Sequence, residues 1–149
     1  ALPLGATGQS QPALAGVSTA LRDGEIALAV VGAHLSGMPL NGELRALDAR
    51  LVMETTTIAD YRLFALPGTT PPKPGMLRVA DGEGAAIALE VWALTVQAFG
   101  RFVAAVPSPL SIGTVRLANG ATAKGFLVEA KAIEGARAAG TVTPVSSEP

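Results

Sequence analysis

Short runs of strand-forming residues, broken every few positions by glycine, proline and asparagine, constrain this chain more than any other feature. Glu25–Val31, Leu51–Thr57, Tyr61–Leu66, Met76–Val79, Ala85–Leu94, Ile112–Leu117 and Thr122–Ala130 read as strands. Asn119-Gly120 is the strongest hairpin signal, because both central positions of the tight turn need residues that accept positive φ. Asp81-Gly82-Glu83-Gly84 reads as a second hairpin, between Met76–Val79 and Ala85–Leu94. The loop Pro67 to Gly75 holds too many prolines to be helical. Two segments fit short helices: Leu40–Leu47, and Val96–Val106 ahead of Pro107 and Pro109. The expectation is an α+β fold built on a small curled or barrel-like, mostly antiparallel β-sheet with two short helices.

Composition narrows the function. Of 149 residues 49% are hydrophobic and 15% charged, enough apolar surface for one real core. A net charge of −1, with no block of like charges, excludes a phosphate-tracking nucleic-acid binder. With no cysteine there is neither a disulfide framework nor a thiolate metal site, which fits a cytoplasmic protein. No apolar run approaches the roughly 20 residues of a membrane helix, and the first residues lack the basic start of a signal peptide. Residues 1–23 read as a flexible linker, 24–136 as the folded domain and 137–149 as a disordered tail.

The apolar strand ending at Val31 runs into Gly32-Ala33-His34-Leu35-Ser36-Gly37-Met38-Pro39-Leu40-Asn41, which holds the single histidine. A strand that stops in such a loop can present one side chain at the rim of a sheet, and imidazole alone titrates near neutrality unperturbed. Around His34 stand Ser36 and Asn41, then Tyr61 and Arg62 at the start of a strand, Lys73 in the proline-rich loop, and Glu90 inside an apolar strand. Each also has a plain structural reading: a core imidazole, a solvated Arg62 and Lys73, and a Glu90 that points to solvent or is paired. Phosphate-loop, dinucleotide and nucleophile-elbow motifs are absent from the sequence, and one His without Cys argues against a metal site. No cofactor is expected.

The same loop resembles the signature of the allophanate hydrolase C-terminal domain. Thr57 to Leu66, Lys73-Pro74-Gly75-Met76, Leu89 to Leu94, Phe99-Gly100-Arg101-Phe102, Pro107 to Val115 and Lys124 to Glu129 match that family in order, over roughly residues 26–136. The resemblance implies a gamma-glutamyl cyclotransferase-like fold and a place in urea degradation, beside an amidase domain, fused or separate, whose catalytic segment is not in this sequence. It implies decarboxylation of N-carboxycarbamate, the product of the amidase step. It also implies a homodimer. The stretch Phe102 to Pro107 holds no acid, so cyclotransferase chemistry itself is not expected. The aromatic closing segment of the family is replaced by Ala138-Ala139-Gly140 and a polar tail.

N-carboxycarbamate is a small dianion, and losing carbon dioxide places charge on its nitrogen. A site needs donors for the carboxylates and a proton for that nitrogen. His34 is the expected catalytic proton donor, Arg62 a bidentate clamp, and the amides from Gly32 to Gly37 a second anion cradle. Ser36, Asn41, Tyr61, Lys73 and Glu90 complete the expected substrate-binding set. Occupancy should fall as pH rises, since a dianion favours protonated His34. The alternatives are a non-catalytic assembly module that pairs amidase subunits, and a binding module for small dicarboxylates.

Overall fold

The computed structural model describes residues 20–65, 74–130 and 143–145. In chain order the elements are β1 (Glu25–Val30), a single 3-10 turn (Gly32–His34), α1 (Asn41–Ala46), β2 (Arg50–Thr56), β3 (Tyr61–Ala65), β4 (Pro74–Arg78), β5 (Ala88–Thr95), α2 (Val96–Ala104), β6 (Leu110–Arg116), β7 (Thr122–Val128) and β8 (Thr143–Val145).

They form an eight-stranded sheet in the order β2-β5-β1-β7-β4-β3-β8, with β6 also on β7. Most neighbours are antiparallel; β7 lies parallel to β1, through Leu28 and Lys124, and to β4, through Met76 and Leu127. The ends of β2 and β6 meet. Thr57 bridges Leu117, Ile58 N donates to Arg116 O at 3.0 Å, and Ala118 N to Thr56 O at 2.9 Å. That contact closes β2, β5, β1, β7 and β6 into a small barrel, as the strand spacing led us to expect.

The closed sheet has two buried faces, which explains why β1 and β5 are apolar without alternation. Ala27, Ala29 and Val31 point inward with Tyr61, Met76, Leu89, Val91 and Val115. Leu28 and Val30 point outward, into a second core of Leu44, Phe64, Trp92, Leu94, Phe102 and Phe126 beneath the two helices. Thr95 caps α2, its hydroxyl accepting from Ala98 N at 3.1 Å.

The Asn119-Gly120 hairpin forms, but around a three-residue loop, Ala118 to Gly120, in which Gly120 alone takes a positive φ (+91°) and Asn119 does not; Leu117 N donates to Ala121 O at 2.9 Å. The second hairpin is corrected. The turn at 81–84 exists, with Gly82 at φ +84°, but the strands it joins do not pair. β4 pairs with β3 and β7, while β5 begins only at Ala88 and runs between β1 and β2. A turn signal sets the reversal; burial of both faces of β5 sets its partners. Within the segment expected as a disordered tail, Thr143–Val145 pair antiparallel with β3. Residues 1–19 of the expected linker, the rest of the tail and the loop with Lys73 lie outside the described residues. No described helix is long and apolar enough to cross a membrane.

Candidate active site

β1 delivers the chain to Gly32 at φ +58°, where a Cβ would stand 2.7 Å from Pro74 Cγ, so only glycine fits. The turn that follows is tight: Leu35 N donates to Gly32 O at 3.1 Å. The returning chain is fastened to it by Leu40 N to Ala33 O at 2.7 Å and by Asn41 Nδ2 to His34 O at 2.8 Å.

His34 therefore does not stand on an open rim; its exposure is 0%, which corrects the expectation. Its ring lies 5.2 Å from that of Phe126 on β7 and 5.9 Å, edge-on, from that of Phe102 on α2. Nε2 is 2.9 Å from Glu43 Oε1, in the first turn of α1. An ionised carboxylate only accepts, so Nε2 carries the proton of this bond. Glu43 reaches solvent, with 45% of its side chain exposed against 1% for His34.

Glu43 forms one wall of a groove of about 420 Å³ between α1 and α2, lined also by Leu47, Arg101, Phe102, Val106 and Phe126. A smaller hollow of about 200 Å³ continues from Leu47 and Arg101 to Asp48, Thr95 and Gln97. The two rings that hold His34 thus also floor the groove, and Arg101 brings a guanidinium to it. Among the described residues, no group of three or more His, Cys, Asp or Glu side chains is placed to hold a metal.

The other expected site residues are distributed as follows. Ser36 donates both N–H (2.9 Å) and Oγ–H (3.1 Å) to Glu90 Oε1, so neither group is left for a carboxylate ligand. The amides of His34, Leu35 and Met38 are likewise committed, to Val31, Gly32 and Leu35 carbonyls. Gly37 takes φ +80° in the same loop. Asn41 is buried, and its Oδ1 accepts from Arg45 Nε at 2.9 Å. Tyr61 lies in the barrel interior, away from the His34 rings, its hydroxyl accepting from Arg116 N at 3.0 Å. Arg62, half-buried, sets its guanidinium 5.5 Å over the Phe64 ring, on the helix-covered face. Neither Arg62 nor Arg101 joins an ion pair among the described residues.

Sequence reasoning missed Glu43, Arg101, Phe102 and Phe126. Glu43 carried a signal, an acid in the first turn of the helix that follows the His34 loop. Arg101 and Phe102 sat inside a matched motif without a role. Phe126 likewise sat inside a matched motif, Lys124 to Glu129, without a role; it reaches the region of His34 through the parallel pairing of β7 with β1.

The fold is that of a gamma-glutamyl cyclotransferase-like domain. A mouse aig2-like protein, 14% identical with a TM-score of 0.54 over 72% of this chain and 78% of its own, shares that fold. Within it, this chain belongs to the allophanate hydrolase C-terminal domain family, whose model matches residues 26–144. Over 118 residues, 78% of this chain, it is 46% identical to the urea amidolyase of Saccharomyces cerevisiae, and spans 6% of that protein. The S177A allophanate hydrolase of Kluyveromyces lactis is 41% identical with a TM-score of 0.71, over 80% of this chain and 19% of that one.

Proposed function

We propose that the domain decarboxylates N-carboxycarbamate produced by an amidase step, with His34 as proton donor acting through Glu43. The observation that carries this reading is the 2.9 Å bond between a buried imidazole and a carboxylate that opens on a groove. Imidazolium and carboxylate store one proton in a pair of no net charge, so a dianion can approach. In the reaction a C–N bond breaks, carbon dioxide leaves and the electron pair stays on nitrogen. His34 gives the stored proton to the Glu43 carboxylate, which delivers it to that nitrogen, giving carbamate and leaving a neutral imidazole beside an ionised Glu43. Arg101, at the groove, is assigned to one carboxylate. Arg62, stacked over Phe64, does not line the groove and is not assigned to the substrate.

The test is release of carbon dioxide from N-carboxycarbamate generated in situ by an allophanate amidase, with and without this domain. Saturable acceleration over the spontaneous decay supports the reading. Decay unchanged at high domain concentration overturns it in favour of an assembly role.

A further inference from the structure

We infer that Glu90 is a positioning residue, which fixes the loop carrying His34 through Ser36 and does not itself touch the substrate. The inference rests on the decarboxylation reading above. Glu90 lies on β5 between Leu89 and Val91 and is only 7% exposed. An ionised carboxylate at such depth is costly unless it is hydrogen-bonded. It collects its compensation at a single oxygen. Ser36 N donates at 2.9 Å, Ser36 Oγ at 3.1 Å and Trp92 Nε1 at 3.0 Å, all to Oε1.

The position of those donors gives the carboxylate its role. Glu90 stands opposite Val30 in the β1–β5 ladder, at the point where the chain leaves β1 for the loop. Ser36 lies two residues beyond His34 and is otherwise exposed. The 3-10 turn is therefore held on its entry side by the ladder and on its exit side by a carboxylate anchored 54 residues away in sequence. Trp92 Nε1, from the same strand, holds the carboxylate in turn. Three donors converging on one oxygen fix the loop and the strand against each other. Without the anchor, the chain on both sides of His34 gains freedom, and the imidazole loses its fixed angle to Glu43. A misplacement of about 1 Å at a reacting group can cost on the order of 10²-fold in rate.

Trp92 is the single tryptophan, so its indole N–H resonance reports the anchor directly, without reference to activity. Glu90→Gln keeps an acceptor oxygen in place; Glu90→Ala removes it. We expect Glu90→Ala to shift the indole resonance, to lower kcat by about 10–10²-fold and to leave KM within about twofold, with Glu90→Gln recovering most of both readouts. Should Glu90→Ala fail to fold, Ser36→Gly, which removes one donor from the loop itself, is expected to lower kcat in the same direction. Unchanged kcat in a folded Glu90→Ala domain, or in Ser36→Gly where Glu90→Ala does not fold, overturns the inference while the decarboxylation reading stands. So does a loss confined to KM, which would make Glu90 a substrate contact. A wild-type domain that does not accelerate decay overturns the decarboxylation reading instead, and with it the role of Glu90, whatever the indole resonance shows.

Discussion

His34 and Glu43 share one hydrogen bond of 2.9 Å whose two ends lie in different surroundings: the imidazole is enclosed by Phe102 and Phe126, and the carboxylate opens on solvent. A buried imidazole cannot meet a substrate directly. It can exchange its proton with one through a partner that reaches the groove. This relationship turns a structural-looking histidine into a candidate general acid.

The first prediction concerns that partner. Glu43→Gln retains an oxygen that accepts from Nε2, so the loop keeps its shape, but the amide cannot carry the proton. The rate of decarboxylation should fall on the order of 10²–10⁴-fold with little change in thermal unfolding. A steady-state assay beside a melting curve separates the two effects. An unaltered rate places the proton path elsewhere.

Malonate carries two carboxylates on one central atom and mimics the dianion. Calorimetry should show binding that weakens as pH rises, because the bound anion favours the protonated His34–Glu43 pair and that proton is lost at high pH. Arg101→Gln should weaken binding by at least about tenfold, the scale of one lost charge-assisted hydrogen bond. Loss on Arg62→Ala with Arg101→Gln indifferent would move the anion site along the sheet to Phe64.

Gly32 is expected to be intolerant of substitution. Gly32→Ala combines a left-handed backbone at φ +58° with a Cβ 2.7 Å from Pro74 Cγ. A destabilisation of about 1–3 kcal/mol in urea unfolding is expected, and a neutral Gly32→Ala would show that the turn is free to reshape.

Acid stability has its own reporter outside the site. The backbone N–H of Arg22, at 2.7 Å, and then the Arg50 guanidinium, at 2.6 Å, hold the Glu25 carboxyl below its usual pKa of 4.5. A depressed folded-state pKa contributes stability above the unfolded value, and that contribution is lost as pH falls through the folded one. Glu25→Gln should therefore be less stable than wild type at pH 7, and the gap should narrow below about pH 4.5 in unfolding titrations. A gap independent of pH would assign the loss to packing instead.

The barrel was legible in the sequence because its strands obey local rules. Period, apolar runs and turn residues placed β1, β2, β3, β6 and β7 within a residue or two, and Asn119-Gly120 named its own hairpin. Pairing beyond a turn was not legible. The turn at 81–84 looks like a hairpin locally, yet β5 takes its partners from strands distant in sequence, because only there are both of its faces covered. The site divided in the same way. His34 was visible as a lone imidazole in a glycine-rich loop. Its burial was not, since Phe102 and Phe126 come from a helix and a strand far along the chain. Glu90 showed as a carboxylate out of place, and the donors that explain it were hidden because Ser36 is 54 residues away.

The role of His34 is tested most directly by comparing wild type with His34→Asn in decarboxylation of freshly generated N-carboxycarbamate, each corrected for spontaneous decay. Saturable acceleration by wild type is expected, with a loss on the order of 10²–10⁴-fold in a His34→Asn domain that remains folded. An equal rate in the folded His34→Asn domain would contradict that role, and would remove the single histidine from the chemistry of this family member.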